Sequence, residues 1–386
     1  MKKERFIHVM SREKFTDGIV DFYNTYFQND AHVICYLRHK EEESLIHDGV
    51  GIRQMEVLLS GNRMRDAVKV LWNLKEFDFI VLHSLFVLTG GMQLLFLLCP
   101  GVMKKIVWIE WRSEERRVWI EWGGDLYTWN MKGPGIKRLY MIPLGLAIRK
   151  RIGSFVGIFP PDCEEYLRQF PASRANVFYA PYCSAKGHLA YQDYSSDRRL
   201  SRTRKEKDTV YIQIGHNAMR SLNHIETMRM LQHLAGEDIK LFLPLSYGDE
   251  ENAREVEEYA REHFPGKTIC LRSFMPKDEY FELLDRIDIA IFQTYRQCGL
   301  GNIYQMIFRN VKLFMPEKSV MYKYFVSQGI PIQKSDTLSE ISFGQLCSDY
   351  RITDSCGHKK MIESLGSVEE KVELWRKIYD NLSAEE

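Results

Sequence analysis

The sequence lacks several features that would assign a protein to a class at once. Its 386 residues carry a formal net charge of +1, so no excess of positive charge indicates nucleic-acid binding. None of the eight cysteines belongs to a C-x-x-C pair, so neither a zinc ribbon nor a redox motif is indicated, and scattered thiols fit a reducing compartment. No D-x-D motif follows a predicted strand, and we predict neither a metal site nor a cofactor.

Long apolar runs are also scarce. The N-terminus, MKKERFIHVM, is basic but has no apolar stretch typical of a signal peptide. The most apolar segment, 79–103, is interrupted by polar residues, by Gly90 and by Pro100, whereas a membrane-spanning helix needs about 20 mostly apolar residues. We therefore predict a buried strand at the start of this segment and a buried helix after it.

The spacing of strands and helices predicts two α/β domains. Single hydrophobic cores stop growing at roughly 250–300 residues, so a chain of this length is expected to divide. In the second half, short apolar strands alternate with amphipathic stretches, which indicates βαβ units and a doubly wound parallel sheet. Strands are predicted there at 209–214, 239–245, 268–274, 287–292 and 311–315. The noisier first half has predicted strands at 6–10, 32–37, 79–83 and 106–109.

These patterns give predicted domain boundaries. Residues 1–185 form a first Rossmann-like domain, and residues 209–365 form a second one. The segment 186–208 is polar, charged and without periodicity, as is typical of a linker. Residues 366–386 have helical periodicity without a following strand, and we expect this helix to pack back on the first domain.

A short duplication interrupts the first domain. VWIEW occurs at 107–111 and again at 118–122, separated by a hydrophilic hexapeptide. Solenoid repeats need longer units and more copies, so we interpret one copy and the hexapeptide, within 107–122, as an insertion scar. The second copy is the natural neighbour of the Gly-Gly-Asp segment that follows, although either copy could form the strand.

Two loops of the second domain are candidates for binding a diphosphate. Each lies between a predicted strand and a helix, where glycine lets the backbone approach a ligand and the helix N-terminus attracts an anion. The residues of the first loop are Gly215, Asn217, Arg220 and Ser221, and those of the second are Arg296, Gly299, Gly301 and Asn302. The alternatives are an ordinary turn with a solvated arginine, and glycines that serve packing alone. The second loop is not a G-x-G-x-x-G fingerprint, which argues against a nicotinamide enzyme.

Further candidates lie elsewhere in both domains. Tyr247 follows a third strand of the second domain and could stack on a nucleobase or a sugar, or be an ordinary surface residue. In the first domain, Asp125 follows two glycines and is the first candidate for a general base, although it could equally cap a helix. His83, at the end of a strand, and His8, within the first strand, are the competitors, although a lone histidine is often structural.

A basic and apolar segment of the first domain contains no acidic residue from 126 to 161. Such a surface suits an anionic membrane or a lipid-linked diphosphate, and the alternative is a helix with a solvated basic face. The candidate contact residues are Lys137, Arg138, Arg149, Lys150 and Arg151.

At this level of detail the chain resembles the TDP-N-acetylfucosamine:lipid II N-acetylfucosaminyltransferases of enterobacterial common antigen synthesis. The resemblance runs from about residue 7 to the C-terminal helix. Its motifs are Ile7-His8-Val9, His83, Trp122-Gly123-x-Asp125-Leu126-Tyr127, Gly215 with Arg220-Ser221 and His224-Ile225, Pro244-x-x-Tyr247, and Arg296-Gln297-x-Gly299-x-Gly301.

The resemblance implies a GT-B glycosyltransferase, in which two Rossmann-like domains face each other across a cleft. It further implies that the enzyme transfers a hexosyl group, inverts the anomeric carbon and needs no metal. The first domain would bind the acceptor, a polyprenyl-diphosphate-linked saccharide, and the second would bind a dTDP-sugar such as dTDP-4-acetamido-4,6-dideoxygalactose. The enzyme would be peripheral, at the cytoplasmic face of the inner membrane. A sugar-nucleotide 2-epimerase of the same architecture and a non-catalytic sugar-nucleotide-binding subunit are the alternatives.

Overall fold

The computed structural model describes most of both halves of the chain. The described residues are 4–11, 16–28, 32–39, 41, 43–44, 46, 51–61, 63–74, 76–85, 116–127, 149–182, 209–348 and 367–384. Two compact units result, one from Met1–Leu189 together with Ser367–Glu386 and one from Ala190–Gly366. The predicted linker 186–208 and the predicted boundary between residues 365 and 366 lie outside the described residues and stay predictions.

The first unit contains a seven-stranded sheet in which each neighbouring pair is parallel, in the order β3-β2-β1-β4-β5-β6-β7. Its strands are β1 (Phe6–Met10), β2 (His32–His39), β3 (Arg53–Leu59), β4 (Phe79–His83), β5 (Arg117–Ile120), β6 (Ser154–Gly157) and β7 (Asn176–Tyr179). Its helices are α1 (Thr16–Tyr26), α2 (Arg63–Leu74), α3 (Pro160–Gln169) and α10 (Val368–Ala384).

The second unit contains a six-stranded parallel sheet in the order β10-β9-β8-β11-β12-β13. Its strands are β8 (Val210–Ile214), β9 (Ile239–Pro244), β10 (Thr268–Leu271), β11 (Ile289–Ile291), β12 (Lys312–Met315) and β13 (Gln333–Lys334). Its helices are α4 (His224–Leu231), α5 (Glu250–His263), α6 (Lys277–Leu284), α7 (Leu300–Phe308), α8 (Val320–Ser327) and α9 (Phe343–Cys347). The predicted parallel, doubly wound α/β fold is confirmed.

The second VWIEW copy supplies a central strand of the first sheet. Val118, Trp119 and Ile120 lie in β5, and all three are buried. The first copy, with the strand predicted at 106–109, lies outside the described residues. The insertion therefore stays a prediction.

The C-terminal helix α10 is part of the core of the first unit. Trp375 is fully buried, and its indole Nε1 donates a hydrogen bond of 3.0 Å to the carbonyl of Pro181. Tyr379 packs on Phe6 with ring centroids 5.0 Å apart, and its hydroxyl contacts that of Tyr23. This helix from the end of the chain therefore packs on β1 and α1, which come from the beginning of the chain.

Replacement of Trp375 by alanine tests this packing. We expect Trp375→Ala to lower the free energy of unfolding by about 3–5 kcal/mol, because it removes a large buried ring and leaves a cavity. Denaturant titration measures the change. Arg376→Ala, on the exposed side of the same helix, is the control and should stay within about 0.5 kcal/mol of the unmodified chain. Equal stability of the two variants would contradict this account of α10.

Candidate functional site

The strand order reverses once in each sheet, and several of the predicted site residues lie at these two points. In the first sheet the reversal lies between β1 and β4, and in the second between β8 and β11. Ligands of doubly wound sheets bind at the carboxyl ends of the strands at such a switch point. His83 ends β4, Gly215 follows β8, and Gly299 follows β11 after a short loop.

The two glycines of the second unit each lie against a histidine ring. Gly215 has φ +65°, and a Cβ placed on it would lie 2.6 Å from Nε2 of His224. Gly299 has φ +69°, and its Cβ would lie 2.5 Å from Nδ1 of His216. Both the left-handed backbone and the close ring contact require glycine. At these two glycines the loops therefore present backbone without a side chain, and an imidazole ring packs against each of them.

Hydrogen bonds tie these loops to each other and to the loop after β9. Asn223, with φ +50°, donates from Nδ2 to the carbonyl of Gln293, 2.8 Å away, and so joins the loops that follow β8 and β11. The amide of Ala218 donates to the carbonyl of Tyr247 at 2.8 Å, and Asn252 Nδ2 donates to the carbonyl of Ala218 at 2.9 Å. Three strand ends thus form one continuous, rigid edge.

Several polar atoms at this edge have no hydrogen-bond partner within the described part of the chain. They are both ring nitrogens of His224, Oε1 of Gln213, Oε1 of Gln293 and Oγ of Ser221. Buried polar atoms in folded proteins are generally paired with protein, water or ligand. Burial lowers the pKa of His224 to about 4, so this ring is neutral at neutral pH.

The N-terminus of α7 supplies the second half of the edge. Gly299 is its N-cap residue, and no side chain caps it, so the amides of the first turn can donate to an anion. Gly301 and Asn302 lie in this turn, and Asn302 accepts a hydrogen bond of 2.6 Å from the hydroxyl of Tyr280. Arg296 precedes the turn and donates to the carbonyl of Gln297 at 3.0 Å.

Arg220 lies at the same edge, but its guanidinium is held by carboxylates of α5 and its N-cap. It donates to Asp249 at 2.9 Å and to Glu255 at 2.7 Å, and a contact to Glu251 spans 3.2 Å. The bond to Glu255, followed by that to Asp249, raises the Arg220 pKa. To bind a diphosphate Arg220 must exchange these exposed partners, so its predicted role stays a prediction.

An aromatic pair extends the edge beyond β9 and β10. Tyr247 and Phe274 stack with ring centroids 5.6 Å apart and an interplanar angle of 10°. Phe274 is 65% exposed, because β10 ends at Leu271 and not at 274 as the sequence pattern predicted. A planar ligand can therefore stack on this pair. The sequence analysis did not single out Phe274, because the pattern placed this residue within the predicted strand 268–274.

In the first unit a chain of three buried histidines runs from the carboxyl end of β4, through β1, to the start of β2. His83 Nε2 lies 3.0 Å from Nδ1 of His8, whose Nε2 lies 2.8 Å from Nδ1 of His32. Burial lowers the pKa of His83 to about 3, and burial with the two neighbouring rings lowers that of His8. Within the described residues, Nδ1 of His83 has no hydrogen-bond partner. His32 was not predicted, since its position at a strand start carries no sequence signal.

Asp125 joins the ends of β4 and β5. It is fully buried and accepts hydrogen bonds from the amide of Leu85 at 2.9 Å, from Nε1 of Trp119 at 2.8 Å and from the amide of Trp122 at 2.9 Å. Leu85 follows Ser84, whose φ is +72°. Because three donors already occupy both oxygens, Asp125 is placed to hold the turn after His83.

Beneath this turn lies a pair of buried carboxyl groups that the sequence analysis missed. Burial and the neighbouring Asp162 raise the pKa of Glu121 well above its ordinary value, and burial raises that of Asp162 to about 6. Asp162 also accepts a hydrogen bond of 2.7 Å from Tyr127, while Glu121 accepts one from the amide of Gly123. The pair therefore keeps a proton at neutral pH.

The basic residues predicted to face a membrane are only partly described. Lys137 and Arg138 lie outside the described residues. Arg149 is buried, and its Nε donates 2.9 Å to the carbonyl of Asp125, so it does not take the surface position that the prediction requires. Lys150 and Arg151 are exposed. None of the helices in the described ranges is long and apolar enough to cross a bilayer.

The chain is similar to several solved structures across its whole length. A glycosyltransferase from Rickettsia africae matches with TM-score 0.65, 10% identity and 100% of both chains. The α,α-trehalose-phosphate synthase of Burkholderia vietnamiensis matches with TM-score 0.64, 9% identity, 99% of this chain and 100% of the other. An Anabaena protein in complex with UDP and glucose matches with TM-score 0.63, 12% identity, 99% of this chain and 100% of the other.

The two sheets and these similarities define the GT-B fold, as predicted. The particular family follows from residues 96–352, well over half of the chain, which match the model described as 4-alpha-L-fucosyltransferase glycosyl transferase group 56. The chain belongs to this family, and the resemblance to the enterobacterial common antigen enzymes is confirmed at that level.

A pair of glycine substitutions tests the backbone of the second unit. Gly266 has φ +70° with nothing near a future Cβ, so Gly266→Ala should cost about 1 kcal/mol from the left-handed backbone alone. Gly299→Ala should cost about 1–3 kcal/mol more, because its Cβ overlaps the His216 ring. Denaturant unfolding checks the difference, and equal costs would contradict the ring contact.

The buried acid pair predicts a pH dependence of stability. Because the folded-state pKa of Glu121 and of Asp162 is raised, their stabilising contribution is present at low pH and is lost as the pH rises through about 6 and above. We expect Glu121→Gln to flatten the fall in melting temperature between about pH 5 and 8. The exposed Glu164→Gln is the control. An unchanged slope in Glu121→Gln would contradict the assignment.

Proposed function

We propose that the chain transfers an amino-deoxy sugar, such as 4-acetamido-4,6-dideoxygalactose, from a dTDP carrier to a polyprenyl-diphosphate-linked saccharide, with inversion at the anomeric carbon. The single observation that carries the donor side is the edge at β8 and β11, where two positive-φ glycines and a helix N-terminus offer bare amides. The family described above favours sugar transfer over the epimerase and the non-catalytic alternatives. The enzyme is further proposed to bind the membrane surface, at the cytoplasmic face of the inner membrane.

The donor diphosphate binds at the loop of Gly215 and at the first turn of α7. There the leaving group gains negative charge as the glycosidic bond breaks, and preorganised amides stabilise that charge. Gly299, Gly301 and Asn302 lie at this turn, and Arg220 can join them if it leaves its carboxylate partners. The chemistry assigned to these residues needs no metal.

The nucleobase stacks on the exposed face of the Phe274–Tyr247 pair. Tyr247 follows β9 and Phe274 follows β10, and β9 neighbours β8 of the diphosphate edge. Aromatic stacking binds any nucleobase, so the preference for thymine is part of the proposal and does not come from the stack itself.

The base of the reaction is assigned to His83, with Asp125 as its positioning residue. Asp125 was our first candidate, but its two oxygens hold three donors, whereas Nδ1 of His83 has no partner within the described residues. When Nδ1 takes the proton of the acceptor hydroxyl, Nε2–H can shift its proton to His8. The His8 ring, and His32 behind it, then share the charge that a single buried imidazolium would carry.

Product analysis tests the proposed reaction. The purified chain is incubated with dTDP-4-acetamido-4,6-dideoxygalactose and a polyprenyl-diphosphate disaccharide, and the product is identified by mass spectrometry. The proposal predicts release of dTDP with a lipid-linked trisaccharide, whose anomeric configuration by NMR is opposite to that of the donor. Epimerised dTDP-sugar, or binding without turnover, would overturn it.

Phe274→Ala tests the nucleobase stack. Loss of one base–aromatic contact should weaken dTDP binding by about 1–3 kcal/mol, or roughly 5- to 150-fold, in titration calorimetry. Val326→Ala removes another exposed apolar side chain of the same unit and should leave the affinity unchanged. Equal affinities in all three proteins would remove the aromatic pair from the donor site.

His83→Gln tests the base. We expect kcat to fall by about 10²–10⁴-fold while dTDP affinity is retained, because the proton acceptor is lost and the donor edge lies in the other unit. Ser154→Ala, another buried polar change in the same sheet, is the control for general effects on folding. A fully active His83→Gln enzyme would exclude this histidine.

A further inference from the structure

A thiol and an imidazole meet at the proposed diphosphate edge. Cys298 lies in the loop between β11 and α7, and its side chain is partly exposed. Its Sγ is 3.6 Å from Nε2 of His216, which comes from the loop after β8. The two loops that form the edge are therefore also joined by this Cys–His contact, and the reaction proposed above uses neither side chain.

The hydrogen bonds around His216 fix which ring nitrogen carries the lone pair. Asn217 Oδ1 accepts from the amide of Met219 at 2.9 Å, so its Nδ2 must be the atom 3.1 Å from Nε2 of His216. An amide NH₂ can donate but cannot accept. Nε2 is therefore the unprotonated nitrogen, and it can take the proton of the Cys298 thiol.

The backbone near Cys298 also favours a thiolate. The next residue, Gly299, is the N-cap of α7, a helix of nine residues whose first-turn amides point toward this end. A thiol at a helix N-terminus beside an imidazole loses its proton more readily than a free cysteine does. By contrast, burial raises the pKa of Cys35 to about 12 and those of Cys163 and Cys270 to about 11.

We propose that Cys298 is a modification site for peroxides and other soft electrophiles, and that its modification blocks the donor edge. The second half of this statement rests on the proposed function, because it places the donor diphosphate at the turn that Cys298 adjoins. The first half depends only on the Cys298–His216 contact and on the N-terminus of α7.

The chemical step is balanced with hydrogen peroxide as the oxidant. The Cys298 sulfur attacks one peroxide oxygen while the thiol proton moves to His216. The O–O bond breaks, the sulfur is oxidised to a sulfenic acid, and the departing hydroxide takes the proton from the imidazolium to form water. A thiol reductant restores the cysteine through a mixed disulfide. The added oxygen stands beside Gly299, where the diphosphate is proposed to bind.

The reactivity is tested on the full chain without any donor. The protein is treated with iodoacetamide over a range of pH, and the alkylation of each cysteine is followed by peptide mass spectrometry. Cys298 should react at least about tenfold faster than the partly exposed Cys347 at neutral pH. Its rate should also titrate below the ordinary thiol pKa of about 8.5.

His216→Gln should slow the alkylation of Cys298 toward the rate of Cys347 and move its titration upward. The pH profile of the unmodified chain carries the same information if this variant is unstable. Equal rates for the two cysteines, or a titration of Cys298 at or above about 8.5, would overturn the proposal.

The effect on the donor edge is tested with dTDP and peroxide. Saturating dTDP should protect Cys298 from alkylation, and peroxide should lower dTDP affinity in the parent chain but not in Cys298→Ser, each compared with its own untreated sample. If dTDP binds but does not slow the fast alkylation of Cys298, the thiol is reactive as proposed but the donor does not bind beside it. Slow alkylation of a chain that binds dTDP and transfers sugar would reject the modification site alone.

Discussion

The packing of two histidine rings against two glycines determines the backbone at the proposed donor edge of the second unit. His224 lies behind Gly215 and His216 behind Gly299, and in both glycines the backbone is left-handed. A side chain at either glycine would push the loop away from the ring and toward the ligand. The same contacts explain why bare amides, and not flexible side chains, form the edge at the switch point. Rigid amides are well suited to stabilise the charge of a departing diphosphate.

The first unit differs from the second because it buries many ionisable groups near its switch point. Three histidines share two ring contacts, Asp125 satisfies three donors, and Glu121 with Asp162 retains a proton. Each arrangement reduces the cost of burying a polar group. Asp125 also holds the turn after β4 through the amide of Leu85, next to the left-handed Ser84. The position of His83 is therefore the result of a network that extends across β1, β2, β4 and β5.

The sequence was most informative where burial and periodicity agree. Central strands such as β8 and β9 are short apolar runs that end near glycine or proline, so their alternation with helices predicted the doubly wound fold. Strands β3, β6, β7 and β13 were missed. In β3 and β7 the side chains are mostly half-exposed and polar residues interrupt the pattern. β6 is buried but has only four residues, and β13 has only two. The loops of Gly215 and Gly299 could be located because glycine before a helix is a local signal.

Side-chain partners distant in the sequence could not be predicted in the same way. Asp125 binds an amide 40 residues away, and Arg220 binds carboxylates 29 to 35 residues away. Only the fold decides that the first carboxylate accepts three hydrogen bonds and that the second residue is an ion-paired guanidinium. Likewise, the charge pattern that suggested a membrane surface does not reveal that Arg149 points into the core. Local sequence locates strand ends, whereas tertiary contacts decide what each side chain does there.

Hydrogen–deuterium exchange with and without dTDP tests the central claim most directly, since it reports on the backbone amides themselves. The account predicts that dTDP slows exchange in two short segments, 215–221 and 299–303, which are separate in sequence but adjacent at the switch point of the second sheet. Protection confined to one segment, or found instead in the first unit at a concentration where dTDP is bound, would contradict it.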